Sequence, residues 1–273
     1  GTVVLQASGD AIVDGAGTIL ATGKLGGHID VLGHRVGLTD QALVDASGAK
    51  AGGSIRIGGD FQGKNATITN ADKTFLGPET TVRADARVSG DGGRVIVWSD
   101  NQTQAYGVIS ARGGNQSGDG GFVEVSGKHA LAFEAAVDTR APKGLTGTLL
   151  LDPDSIFVTF DFDEGGPADD YTGPVLFGDA GEFLNLKAST LSTSVANVIL
   201  QANEDIYFGA PVSMVTPGVG ITARAGTYLV VDAPITTRGG AVTLTAGDPG
   251  SLSGPHAHGA VNIYAAIDTT ADE

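Results

Sequence analysis

The chain has 273 residues, among them 43 glycines, 10 prolines and no cysteine, and its 16 Lys+Arg against 31 Asp+Glu leave a net charge of −15. Glycine at about twice its ordinary share but without a period of three excludes collagen, and an apolar fraction of 41% falling in short β-branched runs excludes a disordered chain. The missing cysteines exclude disulfide stapling, the acidic balance argues against nucleic acid as a partner, and no run of 18 apolar residues exists to span a membrane as a helix.

The chain opens inside an apolar run, Val3-Val4-Leu5, with no secretion signal ahead of it. From residue 26 one motif recurs: two glycines, a variable residue, then an alternating strand. It reads Gly26-Gly27-His28-Ile29-Asp30-Val31, then Gly52-Gly53-Ser54-Ile55-Arg56-Ile57, Gly92-Gly93-Arg94-Val95-Ile96-Val97 and Gly120-Gly121-Phe122-Val123-Glu124-Val125, with a looser copy at Thr146-Gly147-Thr148-Leu149-Leu150-Leu151. The starts lie 26, 40, 28 and 26 residues apart. A second motif, a β-branched residue followed by a polar or small pair, stands between copies at Val44-Asp45-Ala46, Ile109-Ser110-Ala111, Val137-Asp138-Thr139 and Ile235-Thr236-Thr237. Each period therefore holds at least two short strands joined by glycine turns.

A strand this short cannot stand alone. Equivalent strands one coil apart, stacked in parallel at about 4.8 Å, satisfy every ladder group and enclose a continuous apolar interior. The prediction is an all-β chain folded as a right-handed parallel β-helix, a solenoid, the hand following from the crossover rule. Ile55, Ile57, Val95, Val97, Val123, Val125, Leu149 and Leu151 should stack inward, and the length corresponds to about ten to twelve coils.

At Asp152-Pro153 the period breaks. Residues 152–190 are aromatic and acidic, with Phe157, Phe160, Phe162, Tyr171 and Phe177, and they read as an insertion or irregular coil between the coils of 1–151 and those of 191–273. The grammar returns at Asn197-Val198-Ile199-Leu200-Gln201-Ala202 and continues through Tyr228–Ile235 to Val261–Ile267. No amphipathic helix covers either terminal strand, which predicts an excised interior piece or head-to-tail self-association into filaments.

These stretches resemble the central passenger of filamentous-haemagglutinin-like exoproteins of two-partner secretion systems. The resemblance is most specific over 52–151, through Gly52–Gly63, Gly92–Asp100, Ile109–Gly114, Gly118–Lys128 and Thr146–Pro153, and it extends to Leu200–Ile206 and Ala233–Gly240. It implies export through an outer-membrane transporter of a Gram-negative-type bacterium and a secreted or cell-surface location. It also implies a structural or adhesive role toward a host or neighbouring-cell surface or extracellular carbohydrate, in attachment or biofilm matrix, and not catalysis. The amino-terminal secretion domain that the transporter reads is not recognisable in the chain.

The rival reading is a carbohydrate-active enzyme, a polysaccharide lyase or hydrolase, on the same scaffold. Its candidates are the carboxylates Asp152, Asp154, Asp161, Asp163 and Glu164, since paired carboxylates perform acid–base work and glycoside cleavage. Asp161, Asp163 and Glu164 also begin like a calcium loop but lack the later oxygen ligands; structural calcium is the ion they suit best, and no cofactor is expected. Gly113–Asp119 resembles a calcium-binding turn loosely, and His256 and His258 would give an ion only two ligands. His28, His34 and His129 form no triad with serine. Asn65, Asn101 and Asn115 head glycan-acceptor triplets, and Trp98 suits a core or corner position better than a sugar platform.

Overall fold

Short strands flanked by glycine find partners only one coil away. The computed structural model, which describes residues 1–161, 176–177, 184–247 and 259–271, has the parallel β-helix that this demands. The long face is a nine-stranded parallel sheet that takes in turn Thr2–Gln6, His28–Leu32, Ser54–Ile57, Arg94–Ser99, Phe122–Gly127, Thr148–Leu151, Asn197–Ala202, Ile221–Ala225 and Val242–Ala246. Two aliphatic ladders run along its inner side. One joins Val3, Ile29, Ile55, Val95, Val123, Leu149, Val198, Ile221 and Val242; the other joins Leu5, Val31, Ile57, Val97, Val125, Leu151, Leu200, Ala223 and Leu244. The eight residues expected to face inward are all buried.

Each regular coil has three strands where the sequence motifs mark two. The unmarked one forms a second face: Asp10–Val13, Arg35–Leu38, Lys73–Leu76, Gln102–Ala105 and Ala130–Phe133. Its members carry no glycine pair, and Gln102-Thr103-Gln104-Ala105 has no apolar alternation at all. Thr74 and Thr103 are buried because their hydroxyls donate to the carbonyls of Trp98 and Ser126, both at 2.7 Å. The second sequence motif is the third face, Thr18–Leu20, Leu43–Asp45, Thr81–Arg83, Val108–Ser110 and Ala136–Asp138.

The paired glycines close each coil between the third face and the long sheet. Gly93 N–H donates to Ala84 O at 2.7 Å, and a Cβ on Gly93 would lie 2.0 Å from Gly53 O of the neighbouring coil. Backbone-to-backbone approach this close leaves no room for a side chain. The stacked corners floor an open groove of about 1070 Å³ along five coils, walled by His28, Arg94, Phe122 and Leu145.

At the period break the chain stays in the solenoid but changes order. Ile156–Thr159 joins a later second-face sheet, and Leu184–Lys187 returns to pair with it, Ile156 opposite Leu184. The later strand lies on the side facing Ala130–Phe133, so the second face gains a rung that the long sheet lacks. The short helix Ala188–Ser192 then fills the third-face position beside Val212–Ser213. The excursion touches earlier coils through Phe177, whose ring lies 4.9 Å from the Arg35 guanidinium and whose carbonyl accepts from Lys73 Nζ at 3.3 Å. Among the described residues the long sheet has nine rungs, fewer than length suggested, and residues 58–72 consume chain without extending it.

Candidate functional site

The 40-residue spacing between the second and third glycine pairs is explained by a strap. Residues 58–72 leave the coil after Ser54–Ile57 and lie across the outer side of the long sheet. Ala71 N–H donates to Gly58 O at 2.5 Å and closes the base of the strap. Its tip is a tight turn, Phe61–Gly63, begun by the Asp60 carboxylate accepting from Phe61 N–H at 2.8 Å. Arg56 and Asn65 hold the other Asp60 oxygen at 2.9 and 2.7 Å. Burial alone would raise the Asp60 pKa; hydrogen bonds from Asn65, Phe61 N–H and Arg56 override it and hold the carboxyl below its ordinary range.

Aromatic and amide contacts seat the tip. The Phe61 and Phe122 rings meet edge-on at 5.9 Å, with the Arg94 guanidinium 4.8 and 5.3 Å from them. Asn70 donates to Gly63 O at 3.1 Å and to Asp100 at 2.9 Å, and the Trp98 indole N–H reaches the same Asp100 oxygen at 3.1 Å. A Cβ on Gly63 would lie 2.7 Å from the indole ring, so the strap backbone rests on Trp98.

Beneath the strap the structure brings two carboxylates together. Glu124 points outward between Ile96 and Leu150 of adjacent coils yet is 0% exposed, and Asp152 is 1% exposed. Gln62 bridges them. Its backbone N–H points at both Glu124 oxygens, at 3.0 and 3.3 Å, and its side-chain amide donates to Asp152 Oδ2 at 3.0 Å. Gln201 adds a longer contact to Asp152 at 3.4 Å, and Lys64 Nζ donates to Gln62 Oε1 at 2.9 Å. Gln62 adopts φ 52°, a left-handed conformation that a non-glycine residue holds at a cost of about 1–2 kcal/mol. Burial pushes the Glu124 pKa up to about 8; the Gln62 N–H opposes this, the Asp152 charge adds to it, and Ser126 and Arg94 oppose it. At neutral pH Glu124 is therefore mostly a protonated acid beside a second carboxyl group, sealed from solvent.

The other candidates are dispersed. Asp154 is held by His129 Nδ1 at 2.9 Å and Asn203 at 2.8 Å, and Asp161 accepts from Ser189 N–H at 3.2 Å at the start of the short helix. Asp163, Glu164, His256 and His258 lie outside the described residues. His28 contacts Asp30 at 2.8 Å, and Asp30 in turn holds Arg56 at 2.7 Å, which ties two adjacent coils together along the outer face. In the turn Gly113–Asp119, protein hydrogen bonds use the acidic group, since Asp119 accepts from Leu145 N–H at 2.8 Å. Asn65 is committed to Asp60 and Thr67, and Trp98 is buried, not displayed. Among the described residues no group of three or more His, Asp or Glu side chains is placed to hold a metal ion.

Glu124 escaped sequence reasoning. Its signal was present in two parts: an acid flanked on its own sheet side by Ile96 and Leu150, and about fourteen surplus residues two periods earlier with nowhere assigned to go. No protein-family model matches the chain, and a search of curated proteins finds no match.

Proposed function

We propose that the chain is a structural and adhesive segment of a secreted bacterial surface protein of the filamentous-haemagglutinin type. In this reading it is exported through an outer-membrane two-partner transporter and forms a stiff rod that presents its outer faces to a cell surface or extracellular carbohydrate. The observation that carries the reading is the uninterrupted nine-rung ladder, which gives one extended body with long continuous sides. Its polar side chains support the same reading, since they are used to hold coils together: Asp30 with Arg56, Asp45 with Arg87, Asp85 with Arg112. Of the carboxylates that the rival, a polysaccharide lyase or hydrolase, would use, Asp152 is buried beneath the strap and Asp154 is held by His129 and Asn203, which favours the structural reading.

Beads coated with the chain should attach to glycan-coated or cell surfaces and be displaced by excess soluble chain. Incubation with acidic and neutral polysaccharides should release no new chain ends. Attachment equal to that of uncoated beads, or polysaccharide cleavage lost in Asp152→Asn or Asp161→Ala, would overturn the reading.

A further inference from the structure

We propose that residues 58–72 are a proton-controlled latch, shut over the long sheet while Glu124 carries a proton and released toward alkaline pH as that proton leaves.

The geometry makes Glu124 the keystone. Its carboxyl group has no exposed surface, and the donor reaching it from the strap is the single N–H of Gln62. A neutral acid is content with that arrangement; a carboxylate needs several donors or solvent. Every element packed around the site bears on the outcome. The following coil contributes Asp152, whose charge opposes a second anion beside it. The preceding coil contributes Arg94, whose guanidinium is occupied by the faces of Phe61 and Phe122. The strap contributes Lys64, engaged with the Gln62 side chain, and Asp60, engaged with Arg56 and Asn65. Ser126 lies on the same strand as Glu124 and eases its charge in part. Ionisation thus places a charge on Glu124 under a cover that offers it one N–H, and lifting the cover gives that charge water.

The sign follows from linkage. With the strap shut the Glu124 pKa is about 8; with the strap lifted the group returns toward the ordinary carboxylate value. Opening therefore releases a proton, and the opening equilibrium grows about tenfold per pH unit between those two values and levels off above the higher one. Lifting the strap also bares Trp98, the chain's single tryptophan, which gives the opening its own optical report.

The test uses the full chain at constant ionic strength from pH 5 to 9.5. Hydrogen exchange of strap peptides, corrected for the intrinsic pH dependence of amide exchange, is read beside exchange of peptides from Arg94–Ser99 and Phe122–Gly127. Acrylamide quenching of Trp98 emission is followed in parallel. Strap protection should fall by about tenfold per pH unit up to about pH 8 and then flatten, ahead of the core peptides, with quenching rising over the same range. Glu124→Gln, which keeps an acceptor for Gln62 N–H and cannot ionise, should abolish the slope. The latch is wrong if strap protection ignores pH in the parent, if Glu124→Gln keeps the parent's slope, or if strap and core exchange together as one unit.

Discussion

Val123 sits in the ladder between Val95 and Leu149 with no exposed surface, so its environment is set by aliphatic groups on both neighbouring coils. Val123→Asp would bury a charge without a partner and should lower stability by about 3 kcal/mol or more, read as a shift of the denaturation midpoint in urea. Glycine positions separate by what surrounds them. Gly93→Ala would force a Cβ to 2.0 Å from Gly53 O and should destabilise strongly, whereas Gly9→Ala meets nothing within 4 Å and should leave the midpoint nearly unchanged. Glu124 sets a pH dependence for the whole fold. Its folded pKa stands above its unfolded value, so folding takes up a proton and stability falls as pH rises from about 4.5 to about 8. Glu124→Gln should flatten that decline, and the two proteins should differ little below pH 4.5 in matched denaturant titrations. The aliphatic ladders were legible in the sequence because period-two alternation names the inward residues directly. Glu124 was not, because the same alternation sends it outward to water, and only a distant segment folding back over it makes the site dry.

The strap is an element whose removal has a defined outcome. Its base is closed by the bond from Ala71 N–H to Gly58 O, so replacing residues 59–70 with a Gly-Ser link leaves the flanking strands where they are. The shortened chain should keep its strand circular-dichroism signal, while Trp98 emission moves to longer wavelength and the pH dependence assigned to Glu124 disappears. A loss of the strand signal would mean that the strap is part of the solenoid's framework and not a cover upon it. At this scale the sequence was half readable. The first and third faces announce themselves through glycine pairs and β-branched residues. The second face does not, because buried Thr74 and Thr103 are stabilised by hydrogen bonds to carbonyls across a corner, which no linear pattern displays. The segment 152–190 reads in the sequence as an insertion or irregular coil; its described strands, Ile156–Thr159 and Leu184–Lys187, are paired in reverse order, the later one lying beside Ala130–Phe133.

Along the whole molecule, stability should vary with position, since each coil touches only its neighbours and the interior is built by stacking. The middle coils have ladder residues with no exposed surface on either side: Ile55, Val95 and Val123 are all fully buried. The outermost strands of this chain alternate between half-buried and exposed positions, Thr2–Gln6 and Val242–Ala246 alike. Opening an outer coil breaks one coil-to-coil interface, while opening a middle coil breaks two, so free energies of opening should rise from both sides toward the centre. Native-state hydrogen exchange checks this directly. Amides of Arg94–Ser99 and Phe122–Gly127 should be the slowest in the long sheet, those of Thr2–Gln6 and Val242–Ala246 the fastest, and Ile221–Ala225 intermediate. Uniform protection across all nine rungs would instead mean that the solenoid unfolds in one cooperative step. In that case the extra second-face rung at Leu184–Lys187 binds the earlier and later coils tightly enough to erase the gradient.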